Sequence, residues 1–185
     1  MRIIGGKYKH LRISVPSTFK ARPTTDFAKE NLFNILAHSL LDFDEAPAAL
    51  DLFAGTGSIS VELLSRGCAP VVSVEKDFRH HQFLQQTARQ VNDPNWRLVR
   101  GDAFRFIASN TENAAQQFDL VFADPPYALP NLAQLPQLIL ASALLKPDGI
   151  LVLEHGKDHN FSHLPQFMQQ RAYGSVNFSF FTKQS

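Results

Sequence analysis

The sequence predicts an α/β fold: a mostly parallel seven-stranded sheet covered by helices on both faces, carrying an antiparallel strand from a C-terminal hairpin and preceded by a small N-terminal hairpin and helix. Three observations lead there. Between residues 48 and 154, short apolar runs alternate with segments long enough for helices, the order produced by crossovers over a parallel sheet. The chain then ends in two strand-like runs hinged near Gly174, and a tight turn makes its neighbours antiparallel. Its 185 residues are 44% apolar and 19% charged, so a chain of this length buries about 70% of its unfolded surface without disulfides or a structural metal.

Residues 2–4 and 11–15 are short apolar-rich runs separated by Gly5-Gly6 and a basic stretch, which reads as a hairpin with a loose connection, ended by Pro16. The residue before Pro23 is pushed out of the helical region, and Thr24-Thr25-Asp26 then offers caps for a helix. Phe27, Leu32, Ile35, Leu36 and Leu40 recur at helical spacing and predict an amphipathic helix over 26–41, without the Glu or Gln of a full capping box. After a break at 42–47, the runs 48–53, 71–75, 96–99, 118–123 and 150–154 read as strands, with helices over 58–66, 78–91 and 131–145. Residues 167–173 and 175–182 form the closing hairpin, where Val176, Phe178, Phe180 and Thr182 alternate with Asn177, Ser179 and Phe181. No repeat, low-complexity stretch or strong linker interrupts the chain. One domain, 1–185, is expected, made of a basic N-terminal extension (1–42) and a core (43–185).

The net charge of +1 conceals an asymmetry: residues 1–30 carry +5 and the remainder −4. A basic arm on a mildly acidic body suits a polyanion held at one end of the molecule, and equally a solvated tail. The single cysteine, Cys68, forms no internal bridge, which fits a reducing cytoplasm. No apolar run approaches the roughly 20 residues of a membrane span, and residues 1–15 carry charges throughout instead of the uncharged core of a signal peptide.

Chemistry concentrates at strand ends. In Asp51-Leu52-Phe53-Ala54-Gly55-Thr56-Gly57, an apolar strand runs into a glycine turn and then a helix, whose first N–H groups are open to a ligand. Ser60 occupies the place of the third glycine of the dinucleotide fingerprint, and Asp51 would repel a pyrophosphate but attract a cofactor bearing an ammonium and a sulfonium. Glu75 closes the second strand where nucleotide-binding sheets hold a ribose, and Asp102 follows the third, where it could accept from an adenine amino group or cap the next helix. The fourth strand ends in Asp124-Pro125-Pro126-Tyr127. An exocyclic amine of a nucleobase is a poor nucleophile because its lone pair is delocalised. The Asp124 carboxylate and the Pro125 carbonyl can each accept one N–H and draw that density back to nitrogen. Neither proline has an N–H to compete, and Tyr127 can stack on an extruded base.

The set Asp51-x-Phe53-x-Gly55-x-Gly57, Glu75, Asp102 and Asp124-Pro125-Pro126-Tyr127 resembles the Rossmann-like class I S-adenosylmethionine-dependent methyltransferases, in their amino-methylating branch. Met1-Arg2-Ile3-Ile4-Gly5-Gly6-Lys7, Arg22-Pro23-Thr24-Thr25-Asp26 and Leu63-Leu64-Ser65-Arg66-Gly67 narrow this to a resemblance to the bacterial 16S rRNA guanine-N2 methyltransferases, running from residue 1 to about 155. The resemblance implies S-adenosylmethionine as cofactor, with Asp51, Phe53, Gly55 and Gly57 beside its methionine part, Glu75 at the ribose, Asp102 and Ala103 at the adenine, and Asp124 to Tyr127 on the target amine. It implies 16S rRNA or a small-subunit assembly particle as partner, a cytoplasmic monomer, and neither membrane nor metal. Lys29-Glu30 stands where the family usually has Arg-Glu, and Ser60 departs from a frequent glycine or small apolar residue.

The core leaves little sequence for a separate recognition domain, so the target should be presented by its own fold, with Arg2, Lys7, Lys9, Arg12, Lys20 and Arg22 on phosphates. An adenine or protein-glutamine methyltransferase uses the same chemistry and stays as an alternative, as does a non-catalytic RNA-binding module. A nicotinamide oxidoreductase ranks last. His155, His159 and His163 at intervals of four are expected at the surface because no ligand set completes a metal site. Cys68 is expected to be small and buried, and Glu154 either lines the pocket from the fifth strand or, the commoner case, is a strand-end charge.

Overall fold

The computed structural model describes residues 1–19, 25–112 and 114–183. Five parallel strands, β1 (Ala49–Leu52), β2 (Val71–Glu75), β3 (Trp96–Arg100), β4 (Phe118–Ala123) and β5 (Leu145–His155), are joined by β6 (Phe167–Tyr173) and β7 (Val176–Thr182). Their order is β3-β2-β1-β4-β5-β7-β6, with β7 antiparallel to both of its neighbours. The order reverses at β1, so the carboxyl ends of β1 and β4 border the crevice in which such sheets hold ligands.

Strand alternation sends residues to two cores. Ala49, Val71, Phe122, Val152 and Phe178 pack under α1 (Asp26–Ile35), α2 (Ser58–Arg66) and α3 (Phe78–Val91), while Leu50, Leu52, Val74, Leu153 and Phe181 pack under α4 (Ala103–Ala108) and α5 (Leu135–Ala141). Both faces are covered, which is why the strands read as continuous apolar runs.

Several boundaries differ from expectation, each for a local reason. Thr25 caps α1 at Ala28 N, but the helix ends at Ile35 and its last turn, Leu36–Leu40, widens so that Leu41 N bonds Leu36 O. Within 131–145, Pro136 stands in the first turn of a seven-residue α5, Ser142 closes it in extended conformation, and β5 starts at Leu145. α4 is the helix that Asp102 is read as able to cap, and its six residues are too few to show a period in the sequence. The first fifteen residues do pair as a hairpin, through the Arg2–Arg12 bridge with Ile3 N to Leu11 O and Ile13 N to Met1 O. Its connection is tight where a loose one was expected: Gly6 has φ +72°, and a β-carbon there would lie 1.8 Å from Ser65 O.

Candidate active site

The turn after β1 is built on backbone that few side chains tolerate. Phe53, Gly55 and Gly57 all have positive φ, of 66°, 54° and 77°. The Phe53 strain is held by Ala54 N bonding Val74 O and by its ring meeting Phe104 edge-on. Gly57 has no alternative, because a β-carbon would come within 2.6 Å of Leu84 Cδ2 and 3.3 Å of Trp96. A β-carbon on Gly55 would meet only Phe53 O, at 3.9 Å, so that side of the turn opens on space. Behind it, α2 starts at Gly57 without a side-chain cap, leaving its first N–H groups to a ligand.

The three acids expected here sit at their strand ends with different duties. Glu75 braces the turn: Oε2 accepts from Gly55 N and Oε1 from Asp77 N, both at 2.7 Å. Each oxygen keeps further acceptor capacity for ribose hydroxyls. Asp102 is the N-cap of α4, taking Phe104 N and Arg105 N on Oδ1, with Lys76 Nζ 3.0 Å from Oδ2. Lys76, then the capping N–H groups, hold its carboxyl below the ordinary range. Of the two duties read for Asp102, the cap is formed by Oδ1, while Oδ2, which accepts from the exposed Lys76, keeps acceptor capacity for an adenine amino group. Ala103 is buried in the first position of that helix.

Asp51 lies under the turn instead of on it. It is 1% exposed, and Ser60 Oγ donates to its Oδ2 at 2.5 Å; Ser60 Oγ in turn meets Ser73 Oγ, which Trp96 Nε1 holds at 2.7 Å. Ser60, read from sequence only as a missing glycine, is therefore the partner that makes a buried aspartate tolerable. Burial still drives the Asp51 carboxyl up to about 7, against the pull of Ser60. Between its unfolded value near 4 and that folded value, the native state holds a proton that the unfolded chain releases. Stability therefore falls as pH rises through this window, by at most about 1.4 kcal/mol per pH unit. Urea midpoints should drop from pH 5 to pH 8, and D51N should flatten that decline; an unaltered slope in D51N would assign it to another group.

Asp124 follows β4 immediately, its N–H reaching Leu52 O at 3.4 Å across the β1–β4 crevice. Pro125 is buried and Pro126 exposed, and Leu129 N closes the turn on Pro126 O. Asp124, Glu154 and Asp51 come together on the α1–α2 side of the sheet. Burial first, then the charges of Glu154 and Asp51, push the Asp124 carboxyl well above the ordinary range. The Tyr127 ring lies against Gly156, where a β-carbon would stand 3.2 Å from Cδ2, and its hydroxyl donates to Glu154 Oε1 at 3.1 Å. Glu154, for which the sequence favours a strand-end charge over a pocket-lining residue, is 3% exposed and faces the site.

A family model described as "Conserved hypothetical protein 95" matches residues 1–182. The chain belongs to this family. Among its relatives, YlbH of Bacillus subtilis is 31% identical over 85% of this chain and 84% of its own length. The ribosomal RNA small subunit methyltransferase D of Escherichia coli K12 is 28% identical over 100% and 91%. Among solved structures, yhhF from Escherichia coli superposes with a TM-score of 0.84 at 27% identity, covering 100% of this chain and 98% of that one. The fold is the Rossmann-like one of class I methyltransferases.

In this member of the family the basic arm runs down α2. Arg2 and Arg12 oppose each other at the site end, where Lys29 Nζ bonds Arg2 O and Ser58 Oγ. Lys7 lies at the other end of that helix, its N–H on Ser65 O, about 10 Å further along. Arg2, Lys9 and Arg12 are exposed, whereas Lys7 is half-exposed and ion-paired to Asp93 at 2.7 Å. Lys20 and Arg22 fall outside the described residues. Lys29 is not part of the basic surface at all: it is buried against Glu62.

The histidine run divides. His155 is fully buried, contrary to expectation, with Nδ1 on Gly156 O and Nε2 on Ser179 Oγ, a partner that only the β5–β7 pairing supplies. His163 is exposed and His159 intermediate. Cys68 is buried, and burial pushes its thiol up to about 12, as suits an inert core residue.

Proposed function

We propose that this protein transfers a methyl group from S-adenosylmethionine to the 2-amino group of a guanine in 16S rRNA, free or in an assembling small subunit. The single observation that carries the reading is the half-buried Asp124 just past the end of β4, followed by the Pro125 carbonyl and near the open glycine turn. The relative named for small-subunit rRNA methylation, matched along this whole chain, supports the substrate class.

The residues at the turn suit the cofactor. The space over Gly55 admits it, the uncapped start of α2 offers N–H groups to its carboxylate, and Glu75 retains acceptor sites for its ribose. When bound, S-adenosylmethionine would supply a methyl group on a positively charged sulfur. Asp124 and the Pro125 carbonyl accept the two N–H groups of the amine, turning its lone pair toward the methyl. Asp124 then takes the proton the amine must release. The Tyr127 ring, backed by Gly156, offers the base a flat support. Arg2 and Arg12, paired and exposed on the N-terminal hairpin, are the cations assigned to phosphates flanking that base in this reading.

Incubation with labelled S-adenosylmethionine and undermethylated small subunits, followed by digestion of the RNA to nucleosides, tests this directly. Label in N2-methylguanosine is the expected outcome. Label in an adenosine or a protein residue, or none, overturns the assignment.

A further inference from the structure

Glu154 stands one step beyond Leu153, which pairs with Ala123, so its position on β5 adjoins that of Asp124 beyond β4. Ile150 and Val152 point into the α1–α2 core and Leu151 and Leu153 away from it, so alternation turns Glu154 to the same side as Phe122 and Asp124. Neighbouring strands are about 4.8 Å apart, which sets two carboxyls next to each other. Tyr127 fixes one of them by donating to Glu154 Oε1 at 3.1 Å, and Gly156 seats the Tyr127 ring. A buried acid held in this way, next to the group that grips the reacting amine, has no role in the chemistry described so far.

Resting on the guanine-N2 reading above, we infer that Glu154 is a specificity-determining residue that accepts the N1–H of the target base while Asp124 accepts from the neighbouring amine. Guanine alone among the four RNA bases presents two kinds of donor side by side, a ring N–H and an exocyclic amine. Adenine and cytosine carry a lone pair on the ring nitrogen beside their amine, and that lone pair would face the Glu154 carboxylate with no proton between them. A site that hydrogen-bonds a substrate N–H rejects an analogue lacking it, because its own buried group is left unpaired. The two carboxyls thus match a donor–donor edge and oppose an acceptor–donor edge, which gives base choice at the site itself.

The experiment replaces the mapped target guanine with 2,6-diaminopurine in reconstituted small subunits. This base keeps the 2-amino group but has a lone pair at N1. The wild type is expected to methylate guanine on the order of 100-fold more efficiently in kcat/KM, and E154Q, whose amide can donate to N1, to narrow that ratio about tenfold or more. If E154Q turns over neither base, the ratio is read on Y127F, which frees the Glu154 carboxylate to move and should narrow the preference at least severalfold. Equal use of both bases by the wild type, or a ratio unchanged in the variant read, overturns the inference while leaving guanine-N2 methylation intact. Absence of N2-methylguanosine from the wild-type reaction is the separate failure of the underlying reading.

Discussion

D124N should still bind S-adenosylmethionine within about tenfold of the wild type, yet methylate small subunits with kcat lower by about 10² to 10³-fold. Asparagine keeps the volume and one acceptor oxygen, so the fold and the glycine turn are undisturbed. It lacks the second oxygen and the charge that draw density onto the amine, and it cannot take the proton. The pH profile sharpens the test. Burial and the charges of Glu154 and Asp51 raise the Asp124 carboxyl, and its protonated form does not serve as acceptor. Wild-type kcat/KM should therefore climb with pH through the raised value and then level, while D124N stays low without that limb. Stability must run the other way. Ionising a raised carboxyl costs folding free energy as pH rises, so the urea resistance of D124N should gain on that of the wild type as pH goes from 5 to 8. A falling wild-type activity profile over this range, or full activity in D124N, removes Asp124 from the role.

What sequence could show and what it could not divides by the distance to a residue's partner. The runs 71–75 and 118–123 coincide with β2 and β4 because strands covered on both faces are apolar throughout. Asp124-Pro125-Pro126-Tyr127 is legible because its reactive geometry is local: consecutive residues supply the acceptor, the donor-free carbonyl and the ring. Asp102 is ambiguous for a related reason, since the same carboxylate serves a cap two residues ahead or a ligand, and only folding assigns it to Phe104 and Arg105. The sequence leaves Glu154 undecided and misplaces His155 because their surroundings come from other strands, Asp124 beyond β4 and Ser179 on β7. Strict alternation along 150–154 could have turned Glu154 toward the same side as Val152, but nothing in the sequence says which strand lies alongside.

The buried node at Glu62 is the extreme of that blindness, and its removal is expected to be the most destabilising change in the chain. Glu62 is wholly buried on α2, and four donors converge on it: Ile4 N and Gly5 N at 2.8 Å each, Arg66 Nε at 2.8 Å, and Lys29 Nζ at 3.6 Å. The last comes from a lysine only 1% exposed whose other partners are Arg2 O and Ser58 Oγ. Burial lowers the Lys29 ammonium and the Glu62 charge pulls it back. E62A would strand two backbone N–H groups and a buried ammonium at once, a loss of about 3–5 kcal/mol, or roughly 10 °C in Tm. K29M should be much milder, about 1–2 kcal/mol, because Glu62 keeps Arg66 and both backbone donors while the apolar chain fills the same space. The asymmetry separates a node from a simple pair, for which the two variants would cost alike. Arg2 is tied to Lys29 and Ser58 opens the helix behind the glycine turn, so E62A should also loosen the hairpin. Hydrogen exchange at Ile4 and Gly5 should then rise toward unprotected rates at temperatures where the sheet remains folded. Protection at those amides in E62A equal to wild type, or a K29M cost matching that of E62A, would show that the hairpin is held by its apolar contacts, Ile3 and Ile13, and not by the buried carboxylate.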